Sequence, residues 1–261
     1  MTKRTEPIGV FDSGVGGTST LHTLAKLLPH EKFIFYGDSK NAPYGEKTRQ
    51  QVIKLTNRVF NDLTRKHHIK AFVMACNTAT SSAKAELMKM HPHLLIFGIE
   101  PALKQAVDHG GQYIIVMGTP LTISLPKYHR QLDKYQATHH IYSVPCPGLA
   151  GLIEGGSKNI TQIKALVHKL LDPLKKYQID SIVLGCTHYP YIKSIISAEF
   201  GNQAAIYTGY DGLARYVSYK LKQKHLNAPA EQKQSISFNS SKNIPSEIKF
   251  YYNMYHGNIL K

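Results

Sequence analysis

Short apolar runs alternate along the chain with longer stretches in which apolar residues recur every three or four positions. The short runs predict strands at residues 8–11, 33–36, 72–75, 94–98, 113–117, 181–184 and 205–207, and a further strand is compatible with 234–238. The longer stretches predict helices at 18–28, 48–66, 81–90, 100–108, 161–177 and 212–224. Regular alternation of this kind predicts an α/β fold whose mostly parallel strands are flanked by helices.

Two of the predicted strands end in similar motifs. Ala75-Cys76-Asn77-Thr78 follows one strand, and Gly185-Cys186-Thr187-His188-Tyr189-Pro190 follows another. This partial internal repeat predicts two similar lobes, the first from residues 1–99 with 210–261 and the second from 100–209. A cleft between two lobes is a common place for a small-molecule site, and we expect the active site there.

The two repeated cysteines are the strongest candidates for chemistry. Carboxyl ends of parallel strands carry the active sites of open α/β sheets, and both Cys76 and Cys186 are predicted to lie there. A helix is expected to begin after each one, and the free N–H groups of a helix N-terminus favour a thiolate. Redox chemistry is disfavoured because no Cys-x-x-Cys pair is present. A metal site is disfavoured because no further ligands stand at the close spacing that such a site needs. The pair therefore indicates two acid/base groups facing one substrate.

Composition narrows the class of protein. The chain has 261 residues, of which 42% are hydrophobic, and it lacks the run of about 18–20 apolar residues that a membrane helix needs. Its N-terminus leads into a strand rather than a signal peptide, so we expect a cytoplasmic protein. The formal net charge of +15 is spread along the chain, and we expect nucleic-acid binding to be at most non-specific. The third cysteine, Cys146, is predicted to be buried and structural.

Three polar loops after predicted strands offer substrate contacts. The Gly-rich loop at 11–17 lacks the sequence motifs of a P-loop and of a dinucleotide-binding loop. The Asp12 carboxylate in this loop suits a substrate ammonium group. The loops at 37–45 and 118–122 offer backbone donors and hydroxyls to carboxylates. Each loop also has a purely structural interpretation as a rigid turn or a helix cap. The candidate substrate contacts in these loops are Asp12, Pro43, Tyr44, Gly45, Thr119 and Thr122.

An amino acid fits this inventory of carboxylate donors, one acid and two thiols. One thiol can take the α-proton while the other returns a proton to the opposite face, which inverts Cα. Asp12 is the candidate partner of Cys76, His188 is the candidate partner of Cys186, and Glu154 is a further candidate acid/base. Each also has a purely structural alternative: Asp12 as a helix cap, His188 as a strand-end histidine and Glu154 as an exposed helix acid.

Over about residues 7–225 the chain resembles the glutamate racemases of the cofactor-independent aspartate/glutamate racemase superfamily. The motifs that carry the resemblance are Phe11-Asp12-Ser13-Gly14, Gly37-Asp38-Ser39, Pro43-Tyr44-Gly45, Cys76-Asn77-Thr78-Ala79, Gly118-Thr119, Cys146-Pro147 and residues 184–190. The resemblance implies interconversion of L- and D-glutamate without pyridoxal phosphate or a metal, supplying D-glutamate for peptidoglycan. It also implies a homodimer and, from the short stretch before the first predicted strand, no activation by a peptidoglycan precursor.

The same resemblance assigns roles to individual residues. It makes Cys76 and Cys186 the two proton donors and acceptors, each serving one enantiomer. The substrate ligands it implies are Asp12, Ser13, Tyr44, Gly45, Asn77, Thr78, Thr187 and His188, with Thr119 and Thr122 as additional contacts.

Two other functions stay open at this point. A racemase for aspartate or another amino acid would use the same two thiols with a different pocket. A binding protein with a vestigial site, such as a gyrase inhibitor or a polyanion-binding protein, fits the net charge but leaves both thiols unexplained.

Overall fold

The computed structural model describes residues 3–257, which form nine strands and eleven α-helices. The strands are β1 (Ile8–Asp12), β2 (Lys32–Gly37), β3 (Ala71–Met74), β4 (Leu95–Gly98), β5 (Tyr113–Gly118), β6 (His140–Pro145), β7 (Ser181–Leu184), β8 (Ala205–Thr208) and β9 (Ser235–Ser240). The α-helices are α1 (Thr18–Leu27), α2 (Arg49–His67), α3 (Asn77–Met90), α4 (Leu103–Asp108), α5 (Pro120–Ser124), α6 (Pro126–Leu132), α7 (Leu149–Glu154), α8 (Ile160–Leu171), α9 (Lys193–Ala198), α10 (Tyr210–Gln223) and α11 (Pro245–Tyr255).

The strands form two separate parallel sheets. The first has the order β4-β3-β1-β2-β9 and the second the order β6-β5-β7-β8. Strands β1, β3 and β7 are buried along their whole length, which explains why each reads as an unbroken apolar run. The predicted α/β class with parallel strands is confirmed.

The chain visits the first sheet, then the second, and then returns to the first. After β8, helix α10 packs against α1, β9 pairs with β2, and α11 packs against both α1 and β9. The first sheet thus takes its strands from both ends of the chain. The lobe limits at residues 99 and 209 remain a prediction.

Several elements differ from the sequence-based predictions. Edge strand β6 was not predicted, because five of its six residues are exposed or only partly buried and it lacks a continuous apolar run. The helix predicted at 161–177 ends at Leu171, and a 3-10 turn, Asp172–Leu174, with Pro173 inside it follows. None of the described helices is long and apolar enough to span a membrane.

Candidate active site

The two repeated cysteines line one small cavity although they belong to different sheets. Cys76 follows β3 of the first sheet and Cys186 follows β7 of the second, and both are almost fully buried. The cavity is nearly closed, with room of only about 10 Å³ for the centre of a water-sized molecule. Its lining residues are Ser13, Pro43, Tyr44, Gly45, Cys76, Asn77, Thr78, Thr119, Ala150, Cys186, Thr187 and His188. All but Ala150 were candidate site residues from the sequence.

Cys76 caps the N-terminus of α3. Its sulfur accepts a hydrogen bond from the Ala79 N–H at 3.4 Å and lies 3.5 Å from the Ser13 hydroxyl oxygen. Burial raises the pKa of Cys76 to about 12, and the nearby Asp12 charge adds to the increase. The Ala79 N–H favours the thiolate, as expected for a helix N-terminus, but desolvation by burial outweighs this donor. Cys76 is a thiol, and hence a proton donor, at neutral pH.

Cys186 has a different local setting from the one the sequence predicted. No α-helix begins directly after it, because residues 187–188 form a turn, a 3-10 helix covers Tyr189–Ile192, and α9 begins only at Lys193. The partner of its sulfur is the His188 ring, whose Nδ1 lies 3.7 Å away. A side chain rather than a helix terminus therefore controls the charge around Cys186.

His188 and Glu154 form a buried pair behind Cys186. The His188 Nε2 lies 3.5 Å from a Glu154 carboxylate oxygen. Although burial opposes the imidazolium, the contacts with the Cys186 sulfur and the Glu154 carboxylate raise the pKa of His188 well above its usual value. For Glu154, burial is likewise outweighed, and the His188 contact lowers the pKa of its carboxyl. His188 is thus a cation held between a sulfur and a carboxylate.

Glu154 is anchored at the C-terminus of α7 by contacts with the first lobe. Its second carboxylate oxygen accepts the Val15 N–H at 3.1 Å and lies 3.5 Å from the Ser39 hydroxyl. Its side chain is only 17% exposed, so it is not an exposed helix acid. The Glu154 carboxylate therefore contacts the His188 ring.

Asp12 connects the two sheets at the back of the cavity. One carboxylate oxygen accepts the Gly14 N–H at 2.8 Å, and the other accepts the Thr187 hydroxyl at 2.9 Å. Burial raises the pKa of Asp12 to about 6, against the lowering effect of the His188 charge. Asp12 therefore affects Cys76 through its charge, since its hydrogen bonds go to Gly14 and Thr187.

Three threonines join α3 to α5 on the opposite wall. The hydroxyl oxygens of Thr78 and Thr119 are 2.9 Å apart, and Thr122 lies 3.1 Å from Thr78 and 2.9 Å from Thr119. Gly45 packs against this cluster, because an added Cβ there would lie 2.5 Å from the Thr119 Cβ. Thr122 thus stands behind the cavity wall and supports the two threonines that line it.

Tyr44 does not present its hydroxyl as the sequence predicted. Its hydroxyl donates to an Asp38 carboxylate oxygen at 2.6 Å, and that acid also accepts from the Asn41 amide. Pro43, which precedes it, follows a cis peptide bond. Tyr44 therefore lines the cavity, while its hydroxyl is engaged by Asp38 of the same loop.

Sequence reasoning assigned no site role to Ser39, Tyr189 or Tyr251. The Tyr251 hydroxyl lies 2.6 Å from the Ser39 oxygen, which in turn reaches Glu154. Tyr189 is fully buried beside Cys146 and Cys186. The Gly37-Asp38-Ser39 motif pointed to Ser39, but nothing local connects Tyr251 of α11 to the site. Within residues 3–257 no three His, Cys, Asp or Glu side chains are placed to hold a metal ion.

Comparison with known proteins gives a consistent set of relatives. Residues 8–215 match the Asp/Glu/hydantoin racemase family. The chain is 40% identical over 236 residues to the glutamate racemase of Clostridium perfringens, a match that covers 90% of each chain. The structure resembles a glutamate racemase isoform of Bacillus anthracis with a TM-score of 0.86 at 28% identity, covering 99% of this chain and 96% of that one. It also resembles the Francisella tularensis glutamate racemase in complex with D-glutamate, with a TM-score of 0.82 at 26% identity and coverage of 97% and 94%.

Proposed function

The chain belongs to the Asp/Glu/hydantoin racemase family, and we propose that it interconverts L- and D-glutamate by proton transfer at Cα without a cofactor. The observation that carries this proposal is that Cys76 and Cys186, held by different sheets, line a single cavity. Two acid/base groups on separate supports are what inversion at one carbon requires. We take this cavity to be the predicted cleft.

Each half-reaction needs one sulfur deprotonated and the other protonated. Burial keeps Cys76 in its thiol form, while the His188 cation beside Cys186 provides charge compensation for a thiolate there. In that state Cys186 removes the α-proton from one face and Cys76 gives a proton to the other. The reverse direction exchanges the two roles, so that Cys76 is the base and Cys186 the acid.

Binding of the substrate lowers the electrostatic cost of forming the Cys76 thiolate. The Asp12 charge opposes that thiolate, and an α-ammonium group bound beside Asp12 would neutralise the opposition. Asn77 adds an acceptor for the same ammonium, because its buried side-chain oxygen has no hydrogen-bond partner among residues 3–257. The hydroxyls of Thr78, Thr119 and Thr187 and the backbone around Gly45 are the proposed carboxylate donors.

We expect the purified protein to racemise L-glutamate with no added pyridoxal phosphate or metal. Circular dichroism with L-glutamate and, separately, L-aspartate measures the loss of optical activity directly. Racemisation of aspartate alone would assign the chain to the other substrate of the family. No signal from either amino acid would refute the proposal.

The rate should also report the ionisation of Asp12. Because the anionic form binds the ammonium group, kcat/KM is expected to rise as the pH increases through about 6, the pKa of the Asp12 carboxyl. Asp12→Asn should lose this acid limb and lower kcat/KM by about 10²-fold or more, the usual effect of truncating a buried charged partner. The pH profile of kcat/KM is the measurement.

Stability separates this effect from misfolding. A carboxyl whose pKa rises on folding from 3.8 to about 6 makes the native state less stable above pH 6, where the native carboxyl is forced to ionise. Asp12→Asn should therefore unfold at the same temperature as wild type or a higher one at pH 8. Asp108→Asn, which alters an exposed acid paired with Lys104, is the matched control. It should change neither the pH profile of kcat/KM nor the unfolding temperature. Retention of the acid limb by the Asp12 variant would contradict this role.

The cellular role of the product follows from the same proposal. A glutamate racemase supplies D-glutamate, which we propose enters peptidoglycan synthesis in the cytoplasm. The homodimer remains a prediction of the family resemblance.

A further inference from the structure

Tyr189 is a buried polar side chain beside the site that the proposed mechanism leaves unused. It has no exposed surface and lies on the 3-10 turn after β7, where its N–H donates to the Cys186 carbonyl oxygen at 3.2 Å. Its hydroxyl has no partner of standard hydrogen-bond geometry within the described part of the chain. Because buried hydroxyls in folded proteins almost always have a partner, this one calls for an explanation.

Tyr189 is buried in the same cluster as two sulfurs that affect its hydroxyl, although neither sulfur meets hydrogen-bond geometry with it. These sulfurs belong to Cys146, which follows β6, and to Cys186, which follows β7, and the two strands flank β5. The Cys146 thiol donates to the Val144 carbonyl oxygen at 3.2 Å. With its proton engaged there, Cys146 offers the hydroxyl only sulfur lone pairs.

The strength of the contact with Cys186 depends on the charge of that sulfur. A neutral thiol is a weak acceptor, whereas a thiolate is a charged one and forms a much stronger hydrogen bond. Burial raises the pKa of Tyr189 well above its usual value, so the phenol stays protonated and acts only as a donor. The hydroxyl therefore gains most when Cys186 has lost its proton.

We propose that Tyr189 is a positioning residue that donates a hydrogen bond to the Cys186 thiolate during racemisation and rests between Cys146 and Cys186 when both are thiols. No proton passes to or from Tyr189. The inference deepens the proposed function and rests on it. Together with His188, it gives Cys186 two donors from one turn, while Cys76 accepts from the Ala79 N–H and, as a thiol, donates to the Ser13 hydroxyl oxygen.

The test compares two tyrosines of the same 3-10 turn. Tyr189→Phe removes the hydroxyl beside the sulfurs, and Tyr191→Phe removes a buried hydroxyl that is paired with Thr18. We expect Tyr189→Phe to lower kcat by about 10- to 100-fold with little change in KM, as for the loss of a hydrogen bond to a charged group. Tyr191→Phe should stay within about threefold of wild type, since its hydroxyl partner is a neutral one.

The isotope effect identifies which sulfur is affected. Enantiomers have equal free energy, so kcat/KM must fall equally in both directions, and this ratio alone cannot locate the defect. With Cα-deuterated substrates, Tyr189→Phe should increase the isotope effect on kcat/KM for only one enantiomer, the one whose α-proton Cys186 removes. Equal isotope effects for both enantiomers, or kinetics matching Tyr191→Phe, would overturn the inference.

A second measurement does not depend on racemisation. Alkylation by iodoacetamide, followed residue by residue by mass spectrometry, reports how much of each sulfur is thiolate. Tyr189→Phe should slow alkylation of Cys186 relative to Cys76 by about tenfold, as the loss of a charge-assisted hydrogen bond predicts. An unchanged or larger relative rate at Cys186 would contradict the inference even if the wild-type protein failed to racemise glutamate.

Discussion

Replacing either cavity cysteine with alanine is expected to abolish racemisation. Each sulfur is proposed to be the acid or base for one face of Cα. A positioned acid or base contributes about 10²- to 10⁴-fold, and we expect losses at the upper end because Cα–H is a very weak acid. Cys76→Ala and Cys186→Ala should therefore both lack measurable activity in the circular dichroism assay.

Proton exchange distinguishes a two-base mechanism from general damage. A variant with one remaining sulfur can remove the α-proton and return a solvent deuteron to the same face, which labels Cα without inversion. In D₂O, Cys76→Ala should label one enantiomer and Cys186→Ala the other, as detected by NMR. Labelling of both enantiomers by one variant, or racemisation by either, would rule out the two-base assignment.

Cys146→Ala is the matched comparison for these variants. It makes the same chemical change at a sulfur that is buried and donates to the Val144 carbonyl but does not line the cavity. We expect it to retain racemisation, with at most about a tenfold loss from its contact with Tyr189.

Glu154→Gln is expected to lower kcat by about 10²-fold at neutral pH, the effect of removing one member of a buried charged pair. The Glu154 carboxylate lies 3.5 Å from His188 and helps to keep that ring protonated against the effect of burial. Without the carboxylate, only the Cys186 contact remains to oppose burial, so the pKa of His188 falls and less of the cation beside Cys186 is present at neutral pH. The amide retains the size of the side chain, so the cavity wall is preserved.

The pH profile gives this prediction a definite sign. In the wild type, the raised His188 pKa keeps the imidazolium present above its usual range near 6.5. In Glu154→Gln the imidazolium disappears at lower pH, so the basic limb of kcat should shift downward and activity should recover in part as the solution is made more acidic. Glu100→Gln, which alters an acid paired with the surface residues Lys84 and Lys127, is the control. An unshifted basic limb in Glu154→Gln would show that the carboxylate does not act through His188.

The sequence alone placed both sulfurs correctly relative to the sheets. Parallel strands buried on both faces produce unbroken apolar runs, so β3 and β7 were visible, and the residues that follow such strands lie at a known edge. The polar loops after β1, β2 and β5 were located in the same way. These predictions depended on short-range patterns, which a single sequence contains in full.

The pairing of side chains across the cavity was not predictable from those patterns. Asp12 and Thr187 are 175 residues apart, and Val15 and Glu154 are 139 apart, yet each pair is hydrogen-bonded. Glu154 was a candidate acid/base with no assigned partner, and the structure places it against His188. Contacts of this kind depend on how the two sheets face each other, which no local motif specifies.

The sequence by itself determined the fold class, the two strand-end thiols and the loops that surround them, because strand burial and turn chemistry are local properties. Only the tertiary structure decided the protonation of Cys76, the cation at His188 and the position of Tyr189 beside two sulfurs. The physical reason is desolvation. The helix N-terminus at Cys76 favours a thiolate locally, but packing of both lobes around the cavity removes water and raises the pKa of that sulfur to about 12.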